Sequence, residues 1–153
     1  MKRLEIYTDG ACSGNPGPAG IGFVIRENGR VVRECAKGIG NATNNIAEYT
    51  ALIYALQEAL ILKADEVDVK SDSELMCRQI QGIYKVKNPN IVPLFDQIRH
   101  LLQGFRSFSI THVFRQDNKE ADALSKKAIQ IQKQTKVFAR ADNVGEESPS
   151  SEG

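Results

Sequence analysis

The stretch LEIYTDGAC at residues 4–12 places an acidic side chain at the end of a predicted β-strand. The side chains at positions 4, 6 and 8 fall on one side of an extended chain and those at 5, 7 and 9 on the other. This two-residue period is typical of a strand with one buried face. Asp9 ends this alternation and Gly10 follows it. Asp-Gly pairs are common in turns, so a turn is the alternative explanation of this pair.

Outward from this strand, the sequence predicts the element order β-β-β-α-β-α-α-β-α. A Gly/Pro-rich loop over residues 10–20 leads into a second strand over 21–25. Asn28-Gly29 predicts a tight hairpin into a third strand, which ends near residue 40. An apolar stripe at helical spacing over residues 49–60 then predicts a long helix with one face in the core.

The second half of the chain predicts crossover units. Alternation over residues 66–71 indicates a fourth strand. The remaining predicted elements are a short helix from Asp72, a helix over 94–102, a fifth strand marked by Phe108, Ile110 and Val113, and a final helix from near Asn118. A three-strand antiparallel meander followed by parallel strands predicts an α/β fold with a mixed sheet flanked by helices.

The whole chain fits one domain with a short tail. It has 153 residues, of which 41% are hydrophobic and 25% charged, an ordinary globular composition. We interpret residues 1–134 as the domain, and the polar residues 135–153 as a disordered C-terminal tail. A formal charge of +1 gives no strong overall field that would attract nucleic acid.

Cysteine usage and hydropathy predict a cytoplasmic protein. The three cysteines, Cys12, Cys35 and Cys77, are far apart and show no CxxC pair, which argues against a disulfide framework or a zinc site. The N-terminal residues show no signal peptide, and no apolar run is long enough for a membrane span. We also expect a monomer with no obligate protein partner.

Three further acids occupy the beginnings of predicted helices or the end of a strand. Asp72 follows the fourth strand, where it could cap the next helix. Glu48 is three residues after Asn45, the spacing of a capping box. Asp122 lies in the first turn of the last helix, where the helix dipole favours an acid. Each position therefore has a structural explanation of its own.

The predicted topology can bring these carboxylates together. The strands that end at Asp9 and Asp72 can be neighbours in the sheet, and the helix starts that carry Glu48 and Asp122 can lie over those strand ends. Clustered carboxylates repel each other and raise each other's pKa, so a stable cluster needs a cation. Oxygen ligands without clustered Cys or His suit Mg²⁺, or Mn²⁺ as a substitute.

With these motifs in view, the sequence resembles the ribonuclease HI family. The matching motifs occur in the family's order over roughly residues 4–130; they are Tyr7-Thr8-Asp9-Gly10-Ala11-Cys12, Gly14-Asn15-Pro16-Gly17, Thr43-Asn44-Asn45-x-x-Glu48, Ser71-Asp72-Ser73 and Asn118-x-x-x-Asp122. The resemblance implies the ribonuclease H-like fold with a five-stranded mixed sheet. It also implies an endonuclease that hydrolyses the RNA strand of RNA–DNA hybrids and leaves 5′-phosphate and 3′-hydroxyl ends.

By the same resemblance, Asp9, Glu48, Asp72 and Asp122 are the catalytic acids and the ligands of two Mg²⁺ ions, with Mn²⁺ as a substitute or the preferred ion. Two ions about 3.5–4 Å apart would straddle the scissile phosphate. We expect Asp9 to bridge the ions, Glu48 and Asp72 to serve the attacking side, and Asp122 to serve the leaving side.

The resemblance also implies residues that recognise the substrate. Reading of 2′-hydroxyls and base edges in the minor groove is assigned to Asn15, Asn44 and Asn45. Thr43, with Asn88 or Asn90, is assigned to a phosphate of the DNA strand. Helix capping is the alternative for Asn44 and Asn45, and a turn before Pro16 is the alternative for Asn15.

Two features of the family are missing from the sequence. No histidine lies between Val113 and Asp122, where many members carry one; His112 falls in a strand and is expected to be structural. Arg115 is the nearest group that could contact the phosphate instead, or it could pair with a nearby acid. The chain also has no tryptophan, and only residues 82–90 occupy the place of the basic handle.

These departures leave other functions open. One is a module that binds hybrid or structured RNA without cutting it. Another is a broader nuclease that also cuts double-stranded RNA, and a third is a DNA-cutting enzyme of the same superfamily. The four acids argue against a pure binder, because clustered negative charge beside phosphates does not favour binding.

Overall fold

The chain forms a five-stranded mixed sheet. In the computed structural model, which describes residues 1–144 and the side chains of 1–134, the strand order is β3-β2-β1-β4-β5. The strands are β1 (Arg3–Cys12), β2 (Gly17–Glu27), β3 (Arg30–Ala42), β4 (Glu66–Ser71) and β5 (Ser107–His112). The pairs β1–β2 and β2–β3 are antiparallel, whereas β1–β4 and β4–β5 are parallel. The predicted meander followed by parallel strands is therefore confirmed.

Helices cover both faces of this sheet. They are α1 (Asn44–Ile61), α2 (Glu74–Ile80), α3 (Val92–Leu102) and α4 (Lys119–Val144), with a 3₁₀ turn at Arg115–Asp117 before α4. The apolar stripe of α1 packs against β1, and Leu4, Ile6 and Leu52 are fully buried between them. The helix α4 contacts β1, β2 and β3 on the opposite face. The predicted apolar stripe of α1 is therefore buried in the core.

Three predicted strand boundaries were wrong. β1 continues to Cys12 and β2 begins at Gly17, so most of the loop expected over residues 10–20 is sheet. β3 continues to Ala42, past the glycines expected to end it. Gly40 has a φ of +79°, and the β2–β3 register shifts at the same place, so this glycine accommodates an irregularity within the strand.

The final helix ends later than we expected. α4 runs to Val144, whereas the periodicity of its sequence fades at about residue 134. The predicted disorder of residues 145–153 falls outside the described residues, and the division into a domain and a tail stays a prediction. None of the helices in the described part of the chain combines the length and apolar character needed to cross a membrane.

Candidate active site

Three acids from distant parts of the sequence meet at one edge of the sheet. β1 and β4 are parallel neighbours, and Thr8 pairs with Ser71, so Asp9 and Asp72 follow these residues side by side. Glu48 reaches the same place from the first turns of α1. Asp9, Glu48 and Asp72 each contribute a carboxylate oxygen, and these oxygens all lie within 4.8 Å of one another.

Gly10 allows α1 to approach β1 closely enough for this meeting. A Cβ atom at Gly10 would lie 2.2 Å from the carbonyl carbon of Ala47, so only glycine fits beneath the start of the helix. The Gly10 N–H donates a hydrogen bond of 3.1 Å to Oε1 of Glu48. The residue after Asp9 therefore sets both the position and the orientation of Glu48.

Helix capping does not explain the positions of the acids, because other residues cap α1 and α2. Thr43 caps α1, and its hydroxyl accepts from the Ile46 N–H at 3.3 Å, so the alternative that Asn44 or Asn45 caps this helix is wrong. Ser73 caps α2 in place of Asp72, and its hydroxyl accepts from the Met76 N–H at 3.2 Å. Asp9 lies within β1 rather than in a turn. The carboxylates of Asp9 and Asp72 are thus left for another role.

The cluster is electrostatically strained without a cation. Asp9 is 4% exposed, and burial raises its pKa to about 7; a hydrogen bond from Ser125 opposes this shift, while the charges of Asp72 and Asp122 add to it. Burial also raises the pKa of Glu48 well above its ordinary value, and the charges of Asp9 and Asp72 raise it further. A bound cation would favour the ionised forms of both groups.

Asp122 lies beside this cluster rather than inside it. It lines the same pocket as the other three acids, but it is not in the group whose oxygens lie within 4.8 Å. Its carboxylate pairs with Arg115 Nη2 at 3.3 Å and with Lys126 Nζ at 3.1 Å. The predicted pairing of Arg115 with a nearby acid is therefore present, and two cations neutralise the fourth carboxylate.

Ser125 is a site residue that the sequence analysis missed. Its side chain is fully buried, and its hydroxyl lies 2.6 Å from Asp9 Oδ2 and 2.9 Å from the Asp122 carbonyl oxygen. Asn118, also buried, donates from Nδ2 to the Thr8 carbonyl at 2.9 Å and so ties the start of α4 to β1. One signal was available, because Ser125 is a polar residue on the apolar face that carries Ala121 and Ala128.

The predicted substrate-binding residues divide into two groups. Asn44 lines the acid pocket. The backbone N–H of Asn44 donates to the side-chain oxygen of Asn15 at 3.1 Å, so the two residues are adjacent. Thr43 and Asn45 flank Asn44 at the start of α1, outside the pocket lining. Asn88 lies in the loop before α3, where its Oδ1 accepts from the Asn90 N–H at 2.9 Å. The loop at Asn88 does not line the pocket.

One wall of the pocket comes from the end of β5 and the segment that follows it. His112, Val113, Phe114 and Arg115 all line it, together with Lys126 of α4. His112, which was expected to be structural, ends β5 and also lines the pocket. The pocket lining therefore combines four acids, of which Asp9 is buried, with the amide of Asn44 and with aromatic and cationic side chains.

Comparisons with known proteins agree with this arrangement. A family described as "Reverse transcriptase-like" matches residues 7–128. Ribonuclease HI of Halobacterium salinarum is 43% identical over 83% of this chain and 64% of its own length. The crystal structure of RNase H1 from that organism has a TM-score of 0.82. A Ribonuclease H of Chelativorans sp. is 36% identical over 82% of this chain and 85% of its own length.

The similar solved structures include one with bound nucleic acid. LC11-RNase H1 in complex with RNA/DNA hybrid is 43% identical to this chain, with a TM-score of 0.80, and the match covers 84% of this chain and 98% of that one. The fold that carries these acids is therefore similar to the fold of solved RNase H1 structures.

Proposed function

The chain belongs to the ribonuclease H family, and on that premise we propose that it is an endonuclease that hydrolyses the RNA strand of RNA–DNA hybrids. The observation that carries this proposal is the meeting of the Asp9, Glu48 and Asp72 carboxylates within 4.8 Å. The hybrid bound to LC11-RNase H1, a chain of closely similar fold, supports the substrate class.

The residues at the site fit divalent metal ions. The close cluster offers only carboxylate oxygens, which are the ligands that Mg²⁺ and Mn²⁺ prefer. We assign Asp9, Glu48 and Asp72 to the ions, with Asp9 shared between two of them and Asp122 joining on the leaving-group side. When bound, such ions lower the pKa of a coordinated water and offset negative charge on phosphate oxygens. Hydrolysis of the RNA strand in this way would leave one product with a 5′-phosphate end and the other with a 3′-hydroxyl end.

The protein itself positions the acids and supplies charge at the pocket wall. Ser125 holds one oxygen of Asp9, and the Gly10 N–H holds one oxygen of Glu48. Arg115 and Lys126 pair with Asp122, and both side chains are exposed enough to contact a phosphate of a bound substrate. Arg115 thus takes the place of the histidine that many family members carry.

Discrimination of RNA from DNA is assigned to the amides beside the acids. Asn44 and Asn15 are in contact with each other next to the pocket, where they can exchange hydrogen bonds with 2′-hydroxyls. Asn45 extends this surface along α1. Thr43 and Asn88 are proposed to hold a phosphate of the DNA strand. We further propose that the protein works as a monomer in the cytoplasm. Its three cysteines are all free, which is compatible with a reducing compartment.

Replacement of one clustered acid tests the proposed chemistry. In Asp72→Asn, one anionic ligand is lost, and we expect the cleavage rate of a labelled hybrid to fall by about a hundredfold or more in both Mg²⁺ and Mn²⁺. The matched control is Asp68→Asn on β4, the strand that precedes Asp72, because Asp68 accepts hydrogen bonds from Ser109 and Lys70 away from the pocket. Undiminished cutting by Asp72→Asn would remove the metal-site proposal.

The substrate class needs a separate comparison. Hybrid, RNA duplex and DNA duplex of one sequence are incubated with the purified protein while Mg²⁺ or Mn²⁺ is titrated. We expect cleavage of the RNA strand of the hybrid and none of the DNA duplex. Binding of hybrid without metal-dependent cleavage would instead make the protein a hybrid-binding module, and equal cutting of DNA duplex would exclude a requirement for RNA.

A further inference from the structure

The aromatic ring of Phe114 is exposed at the wall of the acid pocket. We propose that this ring is a binding site for the sugar face of the nucleotide strand held at the acids. The inference rests on the proposed function, because it requires a nucleic acid in the pocket. It adds a contact with an apolar ring to the acids, amides and cations already assigned to this site.

The exposure of this ring is not a consequence of a loosely held backbone. The Val113 N–H donates to the Ser71 carbonyl at 2.9 Å, which ties the residue before Phe114 to the end of β4 beside Asp72. The Phe114 carbonyl accepts from the Asp117 N–H at 2.9 Å and closes the 3₁₀ turn. The backbone is therefore bonded on both sides of a side chain that points out of the core.

Phe114 differs from the other phenylalanines whose side chains the structure describes. Its ring is 67% exposed, whereas Phe23 and Phe105 are buried and Phe95 and Phe108 are half-buried. Single apolar side chains at a surface are common and need no function. This one, however, lines the pocket that holds the acids, and it contacts His112 edge-to-face with ring centroids 6.2 Å apart.

The neighbours of Phe114 match the chemistry of a nucleotide backbone. Arg115, the next residue, and Lys126 offer positive charge at the same wall, where phosphates would lie. A sugar separates successive phosphates and presents an apolar face, while the bases of a duplex are stacked on one another and are not accessible to the ring. An aromatic ring beside a cation can thus pack on a sugar while the cation holds the adjoining phosphate.

A fluorescent reporter tests whether a bound hybrid covers the ring. The chain has no tryptophan, so Phe114→Trp introduces a single one at this position. In the Asp72→Asn background the hybrid stays intact, and fluorescence anisotropy of a labelled hybrid reports binding independently. We expect a saturating hybrid to lower the acrylamide quenching constant of this tryptophan by about twofold or more, because the ring becomes covered.

The matched control is Tyr54→Trp in the same background. Tyr54 is a partly exposed aromatic on α1 that lies outside the pocket, and its replacement should stay equally accessible to acrylamide. Hybrid binding by anisotropy with no protection at position 114 would overturn the inference and leave the proposed function intact. Failure of the wild-type protein to bind or cut hybrid would remove the proposed function, and the inference with it.

Kinetics separate a binding role from a structural one. Phe114→Ala should raise KM for the hybrid by about fivefold or more with little change in kcat, because a contact made equally in the ground and transition states is lost. Phe114→Leu keeps an apolar side chain and should restore part of the affinity. A loss of kcat with unchanged KM in Phe114→Ala would contradict a role in binding.

Discussion

The carboxyl group of Asp9 connects the chemistry of the site to the stability of the fold. Its pKa of about 7 in the folded protein lies well above its ordinary value of 3.8. Between these values the folded state keeps a proton that the unfolded chain has released. The stability contributed by this difference is complete below about pH 4 and is lost as the pH rises through about 7.

The first prediction follows from this sign. In EDTA, the free energy of unfolding should decrease from pH 5 to pH 8, and Mg²⁺ or Mn²⁺ should restore it at pH 8 because the ions bind the ionised acids of the folded state. Asp9→Asn should flatten the pH dependence and abolish most of the rescue by metal. Urea denaturation at each pH measures this; a stability that rises with pH in EDTA would contradict the assignment.

Ser125 provides a second prediction for a single residue. Removal of its hydroxyl in Ser125→Ala should weaken divalent-ion binding by about 10- to 100-fold, which is typical when a partner that orients a metal ligand is lost. The matched control is Ser109→Ala, which removes a hydroxyl bonded to Asp68 at 2.7 Å on another part of the sheet. Calorimetric titration with Mn²⁺ measures both variants, and equal affinities would show that Ser125 does not position Asp9.

The close packing of α1 on β1 leads to a prediction about how these two elements are placed relative to each other. In Gly10→Ala the new methyl group would meet the backbone of Ala47 and Glu48 at 2.2–2.4 Å, so α1 must shift away from the sheet. We expect a loss of stability of about 2 kcal/mol or more together with loss of hybrid cleavage. The control is Gly29→Ala, whose methyl group meets no atom, although its φ of +79° costs about 1–2 kcal/mol.

The outcome of this comparison separates packing from backbone strain. Gly10→Ala should lose cleavage because Glu48 moves away from Asp9, whereas Gly29→Ala should lose stability only. A Gly10→Ala protein with normal activity would mean that the close approach of α1 does not place Glu48. Melting temperature and initial cleavage rate are measured on the same preparations.

The strands and helices show which parts of the structure could be predicted from the sequence. Periodicity predicted the strands and the amphipathic helices because a buried stripe is a local property of the sequence. The sequence did not identify the capping residues, because Thr43 and Ser73 stand next to other residues that could cap, and the path of the chain decides between them. Ser125 could not be found as a partner of Asp9 because the register of α4 over β1 is a tertiary property.

At the scale of the whole molecule, charge is local rather than global. The formal charge is +1, and the segment between α2 and α3 carries no additional helix of the kind that a handle would provide. Affinity for hybrid should therefore depend on a few cations at the pocket wall, among them Arg115 and Lys126. Each cation that neutralises a phosphate adds about one unit to the salt dependence of binding.

This gives a fourth prediction. Lys126→Ala should weaken hybrid binding and reduce the slope of log K against log salt concentration by about one. Lys127→Ala is the matched control, because the neighbouring lysine lies on the same helix outside the pocket lining and is exposed. Anisotropy titrations between 50 mM and 200 mM salt measure the slope, and equal slopes for the two variants would contradict a phosphate contact by Lys126.

The central claim is that three carboxylates meet in one pocket and take up divalent ions when they ionise. Its most direct measurement is calorimetric titration of Mn²⁺ at pH 6.5 in two buffers of different ionisation enthalpy, without nucleic acid. Because the pKa values of Asp9 and Glu48 are raised, ion binding should release protons, and the apparent enthalpy should differ between the buffers. Asp72→Asn should bind more weakly. Absence of ion binding, or binding without proton release, would contradict the account.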